Sequence, residues 1–420
     1  MRTKTKKMLA VCLCGALAFG SLCGCGNANE KNKVVFSEEE SKQIQNENVK
    51  EIADFSYDSL RAVEELEDGS VVYSPLGFYL GMALLEEGSA GATNQELSDL
   101  LGTMESEERE KTAAWFLQTL EADLKETTTD LNFADSIWCD EGLVVDKEYL
   151  KRVQQYYRAL VVKQDMEETQ GLKRVNKWVS KATEEHITNV LEELPKDTKM
   201  MMIQAADLDA LWKNPFRKAM TEAQPFYKED HSATELPFMQ ESVPDASYLT
   251  WEQGEGILLP YEDGKLAMTV LMPKEGISVD SMLDQMSAEQ MAELLKEVKP
   301  TAVNLALPRF EVKNDLDLSE VAKAMGIRQA FDEKQADFSG IGAYEDNSKL
   351  FLNRILQSSA ITVTETGLRN HEAEGEELTS TEVNPSDKIQ ELCFNRPFVY
   401  LVIDQDTQVP ILAGVYRGEE

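Results

Sequence analysis

Residues 360–374 read AITVTETGLRNHEAE. Over residues 359–364 apolar and small polar side chains alternate, the period-two signature of a half-buried strand. The pattern then stops at Glu365, and the chain stays acidic and turn-rich until about Glu391. A loop spanning about 366–391 is long for a compact domain, and loops of that length generally carry function. The stretch is therefore either an exposed loop or a strand with no place yet in a sheet.

Working outward, the C-terminal half has further strand signals. Residues 254–273 place two apolar runs around Glu262-Asp263-Gly264, a hairpin pattern, and strands are predicted at 302–307, 394–403 and 410–416. The N-terminal half has helical spacing at 48–66 and 78–87, and Thr93-Asn94-Gln95-Glu96 before LSDLL has the form of a capping box. The fold class is α+β, with helices early and antiparallel strands late. With 420 residues, 42% hydrophobic and 28% charged, the chain can bury a large core, and no internal repeat is visible. A single domain is expected over 47–420. The net charge of −34, from 76 acids against 42 bases, repels a phosphate backbone. The scattered Lys151, Arg152, Arg158 and Lys163 do not offset it, so nucleic acid is excluded as a partner.

The N-terminus has the layout of a secretory signal, with basic MRTKTKK, then apolar MLAVCLCGALAFGSL, then small residues. Leu22-Cys23-Gly24-Cys25 resembles a bacterial lipobox, which implies a signal peptide over 1–24 and a lipidated Cys25. Residues 25–46 are expected to be a flexible tether. The protein would then be anchored by lipid to the outer face of the bacterial cell membrane, facing the extracellular space. Of six cysteines, Cys12, Cys14 and Cys23 leave with the signal and Cys25 takes the lipid, so Cys139 and Cys393 remain. Two distant thiols in apolar surroundings make neither a disulfide framework nor a zinc site and are read as small buried hydrophobes.

The sequence offers little to an enzyme. There is no G-x-S-x-G, no H-E-x-x-H and no phosphate-binding glycine loop, and the histidines are His186, His231 and His371 alone. His371 lies beside Glu372, Glu374, Glu376 and Glu377, a composition that reads as a solvated acidic loop rather than a cation site. No metal or cofactor is expected.

An ordered set of segments from about residue 48 to 417 resembles the serpin family. Val72-Tyr73-Ser74-Pro75-Leu76 and Gly88-Ser89-Ala90-Gly91-Ala92-Thr93 match two early motifs. Asn176-Lys177-Trp178-Val179 with Thr183, then Ala205 through Leu211-Trp212-Lys213-Asn214-Pro215-Phe216, Thr221 and Phe226, follow at the family's spacing. Leu259-Pro260-Tyr261, Leu307-Pro308-Arg309-Phe310, Ala336-Asp337-Phe338-Ser339-Gly340, Asn395-Arg396-Pro397-Phe398 and Gly414-Val415 complete it. The resemblance implies a large antiparallel-rich β-sheet, a helical layer, a second smaller β-unit and an exposed reactive-centre loop. It also implies a monomer that acts as a suicide substrate, trapping a protease when the cleaved loop inserts into the main sheet.

Within that frame Val363-x-Glu365-x-Gly367 matches the entry to the loop hinge, formed here by Glu365, Gly367, Leu368, Arg369, Asn370, Glu372 and Glu374. Inhibitory members continue with small residues. Here a period of two would turn Leu368, Asn370, Glu372 and Glu374 inward, and burying unpaired carboxylates opposes insertion. In the sheet-opening region Ser74 is retained, while Gly77, Gln204 and Gln357 replace the family's Ser, Asn and His. The reactive bond is counted as Thr381-Glu382 or Ser386-Asp387, in a bait over 378–388 unsuited to a trypsin-like protease. Two functions compete: a surface-tethered inhibitor of serine or cysteine proteases, and a non-inhibitory member that binds a ligand or partner. A solute-binding lipoprotein would share the anchor and the α+β class but not the ordered segments.

Overall fold

The computed structural model describes residues 33–166, 169–183, 185, 187–188, 190–194, 197–368 and 389–418. The signal peptide over 1–24 and Cys25 lie outside the described residues.

The helical layer begins earlier than the sequence reading placed it. Helix α1 (Glu38–Gln43) runs through a π-helical turn at Ile44–Asn48 into α2 (Val49–Glu64). Residues 38–46 are therefore helix and not tether. Ser37 and Glu40 form a capping box and Ile44 is buried, so the start is fixed at both its cap and its apolar face. Helix α3 (Pro75–Glu86) is buried along its whole length. Helix α4 (Gly91–Leu101) starts before the capping box expected at Thr93; that hydroxyl instead accepts from the Asp337 backbone N–H at 3.0 Å. The remaining helices are α5 (Ser106–Leu124), α6 (Lys147–Arg152), α7 (Thr169–Ala182), α8 (Val279–Leu283), α9 (Ala288–Glu297) and α10 (Ser319–Ala324).

The strands in chain order are β1 (Val71–Tyr73), β2 (Asp130–Asp140), β3 (Val144–Val145), β4 (Leu160–Gln164), β5 (Met200–Leu211), β6 (Glu222–Tyr227), β7 (Ala233–Thr250), β8 (Gly254–Pro260), β9 (Leu266–Pro273), β10 (Lys299–Pro308), β11 (Phe310–Asp317), β12 (Gly342–Ala343), β13 (Leu352–Val363), β14 (Gly367–Leu368), β15 (Gln390–Cys393), β16 (Phe398–Asp404) and β17 (Pro410–Tyr416). One sheet has the order β1-β17-β16-β9-β8-β7-β10-β15, with β6 on β7. The second has the order β11-β13-β14-β5-β2-β4, and β12 pairs with β3. The predicted hairpin at 254–273 is the β8–β9 pair, turned at Gly264 with φ of +70°.

The second sheet carries the site. Its β13–β5 and β2–β4 contacts are parallel and the others antiparallel. Helix α3 packs on one face and α7 on the other. Ile137, Met200, Met202 and Ile355 join the main core on the α3 side, while Ala134, Trp138, Met201 and Ile203 pack with Val175 and Val179 of α7. A strand buried on both faces loses the alternation that marks a strand in sequence. The loop expected at 366–391 is shortened at both ends, because Gly367–Leu368 and Gln390–Cys393 are paired.

Candidate strand-insertion site

Strands β13 and β5 run side by side from Leu352 opposite Met200 to Ala360 opposite Asp207. Beyond that point they diverge, and β14 fills the gap: Leu368 pairs with Val363 on one side and Ala210 on the other, and Gly367 with Leu211. The short strand is antiparallel to both neighbours, and Leu368 is 0% exposed. The chain reaches this seat by a tight turn, in which Thr364 N–H donates to the Gly367 carbonyl at 2.9 Å.

The hinge motif has a structural role at each position. Gly367 has φ of +151°, and a Cβ there would stand 2.0 Å from the Ala210 carbonyl oxygen, so no larger residue fits. The Glu365 carbonyl accepts from Phe216 N–H at 2.8 Å, and its buried carboxylate accepts from the Thr221 hydroxyl at 2.8 Å. Arg309 lies 3.6 Å from the same carboxylate. Trp212 closes the seat by donating its indole N–H to the Thr364 carbonyl at 2.8 Å and stacking on Tyr261 at 4.8 Å. Of the predicted site residues, Arg369, Asn370, Glu372, Glu374, Thr381, Glu382, Ser386 and Asp387 lie outside the described residues.

Lower in the sheet, Ser74, Gly77, Gln204 and Gln357 meet at the seam between β13 and β5, where Gln357 and Gln204 are directly opposed. The Ser74 N–H donates to Gln357 Oε1 at 2.5 Å, and Gln357 Nε2 donates to the Ser74 carbonyl at 3.0 Å and to Gln204 Oε1 at 3.3 Å. Gln204 Nε2 in turn donates to the Gly77 carbonyl and to Asp135 Oδ1, the latter at 2.7 Å. Both amides are thereby oriented by backbone groups at the start of α3. Small residues make room for this arrangement: a Cβ on Gly77 would lie 3.2 Å from Ser74 Oγ, and one on Gly81 would lie 2.6 Å from Gln204 Nε2. Longer amides on the strands thus occupy space that glycines on the helix leave.

Asp135 is the site residue that sequence reasoning missed. It sits half-buried on β2 opposite Gln204, on the face of the sheet that packs against α3. Burial pushes its pKa up to about 7, against the opposing pull of the Gln204 hydrogen bond. Its one sequence signal was a lone acid in the strand-like stretch Phe133-Ala134-Asp135-Ser136-Ile137. Cys139 and Cys393 are both free thiols. Cys139 is buried, with its thiol pushed up to about 12, while Cys393 is only partly covered and so departs from the buried reading.

The sequence model of one family, Serpin (serine protease inhibitor), matches residues 50–417. Human Serpin B13 is 26% identical over 384 residues, covering 86% of this chain and 97% of that protein. Human neuroserpin is 28% identical over 335 residues, covering 75% of this chain and 79% of that protein. Among solved structures, the thermophilic serpin tengpin in its native state superposes with a TM-score of 0.83 at 24% identity, over 92% of this chain and 96% of that one. Mouse protein Z-dependent protease inhibitor superposes with a TM-score of 0.79 at 21% identity, over 91% of this chain and 100% of that one. Human thyroxine-binding globulin complexed with thyroxine gives 0.76 at 20% identity, over 90% of this chain and 100% of that one. These superpositions establish a likeness of fold. Serpins generally act on target proteases as suicide substrates and not as catalysts. By the extent of the match and the order of its segments, the chain belongs to the serpin family.

Proposed function

We propose that this chain is a suicide-substrate inhibitor of serine-type proteases, tethered by lipid at Cys25 to the outer face of the cell membrane. The observation that carries the reading is the seat of Leu368, a strand position already filled between β13 and β5 by the first residues of the hinge. Burying a leucine side chain contributes about 1.5–3 kcal/mol, so the first step of insertion is favourable. The bait over 378–388 contains small, acidic and β-branched residues, which suits a protease that accepts those at the cleaved bond.

A second reading is favoured by the residues that follow. Leu368 faces inward, and strand alternation would bring Asn370, Glu372 and Glu374 to the same face. Each buried carboxylate would cost several kcal/mol or take up a proton. Insertion that begins and then stalls would leave a non-inhibitory member that is cut like any substrate.

The two readings separate on one experiment. The chain is incubated with a panel of secreted serine proteases, and complexes that survive detergent are sought by electrophoresis, with the cleaved bond mapped by mass spectrometry. Inhibition requires a covalent complex and a cut near Thr381-Glu382 or Ser386-Asp387. Cleavage with no complex, and no rise in thermal midpoint of the nicked chain, overturns the inhibitory reading. For the anchor, Cys25→Ala should release the protein from membranes, and retention would exclude lipidation at Cys25.

A further inference from the structure

The polar chain beneath the seam crosses three strands and ends on an acid. Gln357 on β13 donates to Gln204 on β5, and Gln204 donates to Asp135 on β2. The first of these bonds spans the seam that must open to admit a strand. The last places a carboxylate one strand spacing, about 4.8 Å, from the edge that would part.

Among the described residues Asp135 has no ion-pair partner. Strand β2 packs against β4, β5, α3 and α7. On the α3 face the ionisable groups are Tyr79 and Glu86 of the helix and Lys163 of β4, which stands opposite Cys139, further along the strand. The acids of β5, Asp207 and Asp209, alternate onto the other face with the lysines of α7, across the sheet from Asp135. Burial raises the pKa of Asp135 and the Gln204 hydrogen bond lowers it.

We propose that Asp135 couples the seam to pH: its ionisation favours the parted arrangement of β13 and β5, so the sheet opens more readily above neutrality than below it. In the closed sheet an ionised Asp135 is partly withdrawn from water, with a neutral amide for company. Parting breaks the Gln357–Gln204 bond and lets water reach Gln204 and the carboxylate beside it. The charged form gains hydration in that step and the neutral form gains little. By linkage the parted population grows by up to about tenfold per pH unit, from the ordinary carboxylate range up to the pKa of the closed state. The coupling is a property of the closed sheet and holds whether or not the chain traps a protease.

Hydrogen exchange of the full chain tests it. Backbone amides of Ile203, Gln204 and Ala205 on β5, and of Gln357 and Ser358 on β13, are followed between pH 5.5 and pH 7.5 after correction for intrinsic rates. Protection should fall on the order of tenfold more than that of amides in β16 and β17 in the wild type, and this excess should vanish in Asp135→Asn, or in the smaller Asp135→Ser should the asparagine variant not fold. Glu87→Gln, which removes a different buried acid, should keep the excess. No excess in the wild type overturns the proposal without recourse to any variant. An equal excess in the Asp135 variants, or its loss in Glu87→Gln, assigns the effect elsewhere and overturns it as well. Protease trapping is read separately, so a chain that traps nothing can still obey the pH rule, and the reverse.

Discussion

Helix α3 ends in a buried polar cluster at each end, and the two are built on opposite plans. At its N-terminus, backbone groups of Ser74 and Gly77 hold two neutral amides against the sheet, and one of these, Gln204, donates to Asp135. At its C-terminus, Glu86 and the capping Glu87 place two carboxylates where the helix dipole is already negative, an unfavourable position without cations. Arg109, which is 0% exposed, pairs with Glu86 and donates to the Met104 carbonyl at 2.7 Å. Arg152 bridges Glu87 at 2.5 Å and Glu110 at 2.8 Å, and Ser106 adds a hydroxyl to Glu87 at 3.0 Å. A buried ion pair resists the loss of either partner, because the survivor is left charged and dry. Amide hydrogen bonds contribute about 1 kcal/mol each and can be exchanged for water. The charged end therefore fixes the helix to α5 and α6, while the neutral end borders the seam that moves.

The comparison breaks most severely at Arg109. Arg109→Met leaves Glu86 buried without its partner and should cost about 3–5 kcal/mol in chemical denaturation. A loss below about 1 kcal/mol would mean that the C-terminal cluster does not anchor α3.

Next in size is the pH response of Glu87. Burial pushes its pKa up to about 7 although Arg152 pulls it down. A raised folded pKa means that the folded chain holds the proton longer than the unfolded chain. The associated stability is full below the ordinary glutamate pKa and is lost as pH rises toward 7. Glu87→Gln should therefore remove up to about 3 kcal/mol of the decline between pH 4.5 and pH 8. Denaturant midpoints at the two ends of that range check it, and a wild type that gains stability with pH relative to the variant would reverse the sign.

What could be read in the sequence follows the same division. Helix α3 was legible from its apolar spacing, and the hinge from Glu365 and Gly367, because each depends on local chemistry. The seam residues Ser74, Gly77, Gln204 and Gln357 were found only as departures from a family pattern, since nothing near Gln204 in the chain signals a partner at Gln357. Asp135 was missed because its burial is created by β5 and α3, which are distant in sequence. Strand β5 itself, buried on nearly every residue, gave no alternation to read. The early start of α1 was overlooked for a different reason: Ser37-Glu38-Glu39-Glu40 has the capping pattern, but a polar composition after Cys25 suggested a tether.

At the neutral end, Gln357→Met keeps the volume and removes every polar contact. The Ser74 N–H, the Ser74 carbonyl and Gln204 Oε1 would lose their partner, a cost of about 1–3 kcal/mol. Hydrogen exchange should place the loss in β5 and β13 and leave β16 and β17 unchanged. Exchange rising equally in both sheets would mean that the seam is not a separable unit.

Ser74→Ala should have the smallest effect and sharpens the comparison most. The Ser74 hydroxyl caps α3 by accepting from Gly77 N–H at 3.0 Å, and it donates to the Ile411 carbonyl at 2.7 Å. Loss of such a cap typically costs about 1 kcal/mol. Pro75 at the first helical position and burial on every side hold α3 in place without it, which argues for the lower part of that range. The backbone contacts of Ser74 with Gln357 do not depend on the hydroxyl and should survive. If Ser74→Ala destabilises the chain more than Gln357→Met in the same denaturation assay, the cap and not the amide pair joins α3 to the sheet, and the helix has a charged anchor at one end and a capped one at the other.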